Sequence, residues 1–222
     1  MYNKTSFKKN QMSASQIIIQ IAVVIFSAVI HEYAHGAAAE RLGDKTPRMA
    51  GRMTLNPLKH LDPFGSIIVP FILYLLPTNF IIAWAKPVPV NPLNFRDKKY
   101  GSAKVALAGP SSNIALALFF GLLLRFFPFG DSLFYQNLQF VFGSIVFINL
   151  LLALFNLTPV PPFDGSHILF AFLKSYKAKL FLAKYGIFFT LIYLFFLFPL
   201  LVPLISIVFK ALAGVSFQAL LL

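Results

Sequence analysis

The sequence predicts an all-α polytopic membrane protein: a bundle of about four full transmembrane helices, one re-entrant or broken segment, and short extended strands near the cytoplasmic face. Three observations predict it. The 222-residue chain is 58% hydrophobic and only 12% charged, far from the composition of a soluble domain. Its apolar residues gather in runs long enough to cross a hydrocarbon core of ~30 Å at 1.5 Å per residue. Between the runs lie short loops rich in lysine, arginine and proline. No polar stretch is long enough to bury a core of its own, so a single domain over 1–222 is expected, without an accessory domain.

The first span runs from about Gln16 to Ala39. Lys4, Lys8 and Lys9 precede it as in a signal peptide, but the run passes into polar residues with no small-residue cleavage site, so a retained span is expected. A basic loop follows from Arg41 to Asp62. The segment Gly65 to Ala85 is apolar yet interrupted by Pro70, Pro77 and Asn79. In Lys86-Pro87-Val88-Pro89-Val90-Asn91-Pro92 the alternating prolines exclude helix and predict extended backbone. Two further spans, about Ala103 to Phe127 and Leu138 to Leu157, flank a loop at Asp131 that carries no lysine or arginine. Pro159, Pro161 and Pro162 then break the helix ahead of Asp164-Gly165. An interfacial segment holds Lys174, Lys177, Lys179 and Lys184, and a last span, Gly186 to about Phe209, is expected to kink at Pro199 and Pro203.

Charge orients these elements. The formal charge of +12 sits in short clusters between apolar runs, a pattern that fits anionic headgroups and topology and argues against nucleic-acid binding. The basic loops before the second span and after the third share a side, expected to be cytoplasmic. The 41–62 loop is equally basic, so the segment between it and Lys86 is expected to return to its starting side as a re-entrant hairpin.

Chemistry concentrates at His31-Glu32-Tyr33-Ala34-His35. In a helix, His31 and His35 stand one above the other and can hold one metal ion through two imidazoles. Glu32 is rotated away, so its carboxylate can flank the metal and take a proton from water. Three ionisable groups within five residues of a membrane helix are costly unless ligation offsets the cost. The chain contains no cysteine, so any metal must be held by His, Asp or Glu. A catalytic zinc takes three protein ligands, and the third is sought elsewhere. Asp164 alone among the remaining carboxylates follows directly on an apolar span. His167 is a further option, with a supporting or interfacial role as its alternative, and His60 is expected at the surface. Helical rise places His31, Asp164 and the stretch Gly109-Pro110-Ser111-Ser112-Asn113 at one depth. There Gly109 is read as a close helix contact, Asn113 has a reading as interhelical glue, and Asn156 is able to bind freed backbone or a substrate carbonyl.

His31-Glu32-Tyr33-Ala34-His35-Gly36, Gly109-Pro110-Ser111-Ser112-Asn113 and Asn156-Leu157-Thr158-Pro159-Val160-Pro161-Pro162-Phe163-Asp164-Gly165 together resemble the site-2 protease family of intramembrane zinc metalloproteases, in order and in spacing. Gly51-Arg52-Met53-Thr54-Leu55-Asn56-Pro57 and the Lys86 to Asn91 stretch are similar to a compact prokaryotic branch without a PDZ or CBS domain. The resemblance implies one Zn2+ per chain, held by His31, His35 and Asp164, with Glu32 catalytic and with Asn156 and Asn113 as substrate-binding candidates. It further implies a cell-membrane endopeptidase that cuts transmembrane protein or peptide substrates within the bilayer near the cytoplasmic side. A metal-binding or transport protein without proteolytic activity is the alternative, and it would have no need of Glu32.

Overall fold

Ser13 opens the first helix with a capping box. Its hydroxyl accepts from Gln16 N–H while the Gln16 side chain accepts from Ser13 N–H, satisfying donors that the first turn leaves unpaired. The computed structural model describes residues 13–68 and 85–220. Helix α1 spans Ala14–Arg41, α2 Gly101–Phe126, α3 Leu133–Asn156, α4 Asp164–Phe172, α5 Tyr176–Lys184, and α6 Gly186–Ala213. Four of these, α1, α2, α3 and α6, are long and apolar enough to cross a membrane. Large apolar side chains such as Ile18, Phe119, Phe195 and Ile207 are exposed on their outer faces, as suits lipid and not water. The regular structure among the described residues is thus all helical, and the four long apolar helices fit a multi-pass membrane protein.

Helices α2 and α3 form a hairpin against which α6 packs. Ala117, Val146, Ile205 and Phe209, all fully buried, join Leu124, Leu150 and Ala213 as the core between the three. Helix α1 lies against α2 and α3. A smaller cluster of Ala39, Phe95 and Val105 ties the end of α1 to the start of α2 and to the preceding loop. In the last span, near the expected kink at Pro199, a π-helical turn occupies Tyr193–Leu197. Pro199 has no N–H to give the carbonyl four residues back, and a wider turn accommodates the lost bond.

The two basic loops on either side of 61–85 lie together. Gly43, at φ 105°, turns the chain under the end of α1. Asp44, fully buried, accepts from the N–H groups of Thr46 and Asn91 and from Asn94 Nδ2. Burial pushes its carboxyl up, but hydrogen bonds from Thr46, Asn94 and the Asn91 N–H outweigh that and hold it below the usual carboxylate value. Arg96 N–H donates to Leu42 O at 2.8 Å, and Lys86 N–H to His60 O at 2.8 Å. The expected re-entrant segment falls mainly on residues 69–84, outside the described residues.

Two expectations need correction. Among the described residues there is no strand, although Lys86 to Asn91 is non-helical. Pro87 and Pro89 have no N–H to pair, while the Val88 and Asn91 N–H groups are taken by the side chains of Glu32 and Asp44. His60, expected at the surface, is 1% exposed: its Nε2 donates to Thr54 O at 2.9 Å, and its own carbonyl accepts the Lys86 N–H.

Candidate metal centre and active site

His31 and His35 lie one helical turn apart on the buried face of α1, 7% and 8% exposed. Asp164 arrives from the other end of the chain as the first residue of α4. Their ligating atoms converge: His31 Nε2 and His35 Nε2 are 3.0 Å apart, and Asp164 Oδ2 is 3.2 Å from each. Glu32 stands outside this cluster. It is half-buried, and its Oε2 accepts the Val88 N–H at 2.7 Å. His167 is exposed on α4 and also stands outside the cluster.

The protonation of the two rings follows from their outer partners. His35 Nδ1 lies 2.7 Å from Val105 O, and a carbonyl only accepts, so Nδ1 carries the proton and Nε2 presents a lone pair. His31 Nδ1 lies 2.6 Å from Asn113 Oδ1, which has the same consequence. Asp164 Oδ2, itself buried, has no hydrogen-bond partner. Three electron-pair donors thus face one another with no proton between them, an arrangement that is repulsive alone and suits a cation at its centre. Two imidazoles and one carboxylate are a donor set that zinc accepts while leaving a position open. The residues present therefore fit zinc.

Two glycines make this approach possible, and sequence reasoning undervalued the first. A Cβ on Gly109 would lie 2.5 Å from the Nε2 atoms of both histidines, so the close helix contact expected there is an approach of α2 to the ligand atoms themselves. Gly109→Ala should therefore lower zinc per chain from about one to near zero while leaving the helical content intact, as metal analysis and circular dichroism would show. A Cβ on Gly165 would strike the backbone carbonyls of Leu157 and Thr158, which requires glycine immediately after Asp164. The turn is also braced from α6, where Thr190 Oγ1 donates to Pro161 O at 2.7 Å.

Asn113 and Asn156 are placed differently. Asn113 is fully buried on α2, with its oxygen at His31 and its nitrogen 2.8 Å from Asn149 Oδ1, so both ends of its amide are engaged within the protein. Asn156 ends α3, half-buried, and its Nδ2 donates to Leu152 O at 3.0 Å. In the sequence Asn113 is marked by its polarity, by its depth in an apolar span and by its place in Gly109-Pro110-Ser111-Ser112-Asn113, none of which indicates a bond to His31.

Two histidines on one helical turn and a carboxylate from a distant turn make a set that could hold a metal ion, with a glutamate outside it, within a bundle of long apolar helices. Residues 19–200 match peptidase family M50, and the chain belongs to that family. It is 40% identical over 153 residues to a Bacillus subtilis (strain 168) protein named "Putative zinc metalloprotease YwhC", covering 67% of this chain and 66% of that one. It is 31% identical to Rip2 of Mycolicibacterium smegmatis over 67% of this chain and 54% of the relative. With MJ0611 of Methanocaldococcus jannaschii it shares 31% identity over 73% and 75% of the two chains. Both carry the same zinc-metalloprotease description. The match thus spans less than two thirds of the first two relatives. No solved structure matches the chain.

Proposed function

We propose that the chain, acting as one domain, is a zinc-dependent intramembrane endopeptidase that hydrolyses peptide bonds in or near transmembrane segments of membrane-protein substrates. The observation that carries this reading is the convergence of His31 Nε2, His35 Nε2 and Asp164 Oδ2 with no proton among them, beside a glutamate that is not one of the three.

The residues divide the work. Zinc, when bound, supplies Lewis acidity toward a scissile carbonyl and toward water. His31, His35 and Asp164 hold it. Glu32 is the general base, taking the water proton and returning it to the departing amine. The Val88 N–H at Oε2 fixes the carboxylate's direction and keeps it from turning into the ligand cluster. Asn156, at the break between α3 and the proline-rich turn, is the residue assigned to contact substrate backbone, through its amide oxygen. A transmembrane helix keeps its amides bonded to itself, so a substrate must unwind locally before it reaches the site.

The basic loops and α5, which carries Lys177, Lys179 and Lys184 beside exposed Phe181 and Tyr185, support a reading in which this end of the bundle meets the cytoplasmic headgroups of the cell membrane. The loops that flank the segment 61–85 are joined where the Lys86 N–H donates to His60 O, which supports both loops facing one side. Single cysteines at Lys45 and Lys99 should show equal protection from an impermeant thiol reagent in intact cells; opposite labelling would mean that the segment crosses fully.

The activity is tested with the full chain in lipid vesicles and a panel of single-span peptides, with and without helix-breaking residues in the span. The expected result is cleavage of the helix-broken peptides into two fragments whose masses sum to substrate plus one water. Chelation should abolish it and zinc restore it. Zinc-loaded protein that cuts none of the panel and instead carries metal across the vesicle wall would overturn the reading.

A further inference from the structure

Asn149 touches none of the three candidate ligands, yet it is fully buried in the middle of α3, where an amide is costly unless fully bonded. Its orientation follows from its neighbours. One end of the amide lies 2.8 Å from Ile145 O, and because a carbonyl only accepts, that end is Nδ2. The same nitrogen donates to Ser27 Oγ on α1 at 2.9 Å. Asn149 Oδ1 therefore faces Asn113 and accepts from its Nδ2 at 2.8 Å. This turns Asn113 Oδ1 toward His31 Nδ1, 2.6 Å away, and places the ring proton there.

Each link excludes its opposite. An inverted Asn149 would set oxygen against the Ile145 carbonyl. An inverted Asn113 would present N–H to His31 Nδ1 and drive the ring proton to Nε2, where it would occupy the lone pair directed at His35 and Asp164. His35 has no such dependence, since its Nδ1 pairs with the backbone carbonyl of Val105. The two histidines are thus held by different means: one by backbone, the other by a relay of side chains drawn from three helices.

We infer that Asn149 is a positioning residue that, supported by Ser27, fixes the ligating tautomer of His31 through Asn113. The inference rests on the zinc reading above and adds to it a residue that touches neither metal nor substrate. Partners of this kind on metal-ligating histidines are typically worth ~10–100-fold in metal affinity.

The test measures zinc affinity of the full chain by competition with a chelator, together with the visible spectrum of the cobalt-substituted protein. Asn149→Leu keeps volume but removes both links, so affinity should fall ~10–100-fold and the cobalt bands should shift as His31 is lost. Asn149→Asp, held neutral in this buried apolar place, would present its O–H to the Ile145 carbonyl in place of the amide N–H and keep an acceptor for Asn113 Nδ2; it should bind zinc close to wild type. Adding Asn113→Asp to Asn149→Leu should recover most of the loss, because a carboxylate presents an acceptor to His31 whichever way it turns. A merely structural role for Asn149 would not be rescued at another position. Wild-type affinity in Asn149→Leu, equal deficits in the Leu and Asp variants, or no recovery in the double variant would each overturn the relay. If His35→Ala also binds zinc like wild type, the zinc reading itself has failed, and this control separates the two failures.

Discussion

Glu32→Gln should retain zinc and bind substrate while losing ~10²–10⁴-fold in cleavage, the usual contribution of a positioned general base, or about 3–5 kcal/mol of barrier. The substitution preserves size and the ability to accept the Val88 N–H at 2.7 Å, so the side chain keeps its place. What it loses is basicity. Water then has no acceptor for its proton, and the departing amine no donor. Uncut substrate should accumulate in complex with the variant, visible as co-purification at unchanged zinc content. A transporter built on the same ligands would respond otherwise, since a neutral residue beside an ion path alters affinity or pH dependence and has no covalent product to lose. Near wild-type cleavage in Glu32→Gln would remove the base from the mechanism. Loss of zinc together with activity would move Glu32 into the metal's ligand set.

Asp164→Ala should lose both metal and activity. Its Oδ2 lies 3.2 Å from each imidazole nitrogen and is buried without a hydrogen-bond partner, so no other described group replaces it. Removing a partner that only supports a ligand costs ~10–100-fold in metal affinity, and removing a ligand outright should exceed that range. His31→Ala and His35→Ala should behave alike, whereas His167→Ala, outside the cluster, should keep its zinc. A fully metallated Asp164→Ala would refute the assignment.

The parts legible in the sequence were those set by short-range periodicity. The four-residue spacing of His31 and His35 placed both rings on one face of a helix before any partner was known. The first three spans were anticipated to within a few residues at most ends, because their ends are marked by charge and proline: Gln16 to Ala39 became Ala14–Arg41, and Ala103 to Phe127 became Gly101–Phe126. What stayed hidden depends on how helices approach one another. Nothing in Gly109-Pro110-Ser111-Ser112-Asn113 states that a missing methyl group at Gly109 leaves room for two ligand nitrogens. Nor does it state that Asn113 turns inward to His31 and Asn149. The stretch at Val88 reads as a short strand, but its N–H is spent on Glu32, a partner 56 residues away. His60 reads as a surface residue because its loop is basic, yet it is buried, with its ring bonded to Thr54 O and its carbonyl to the Lys86 N–H.

The central claim, that His31, His35 and Asp164 hold the catalytic zinc, is tested most directly by X-ray absorption at the zinc edge of the purified chain. The account predicts one zinc per chain with two imidazole nitrogens and oxygen neighbours, and loss of one imidazole contribution in His35→Ala with Glu32→Gln unchanged. A wild-type spectrum without imidazole, or one that His31→Ala and His35→Ala leave as it was, would contradict it.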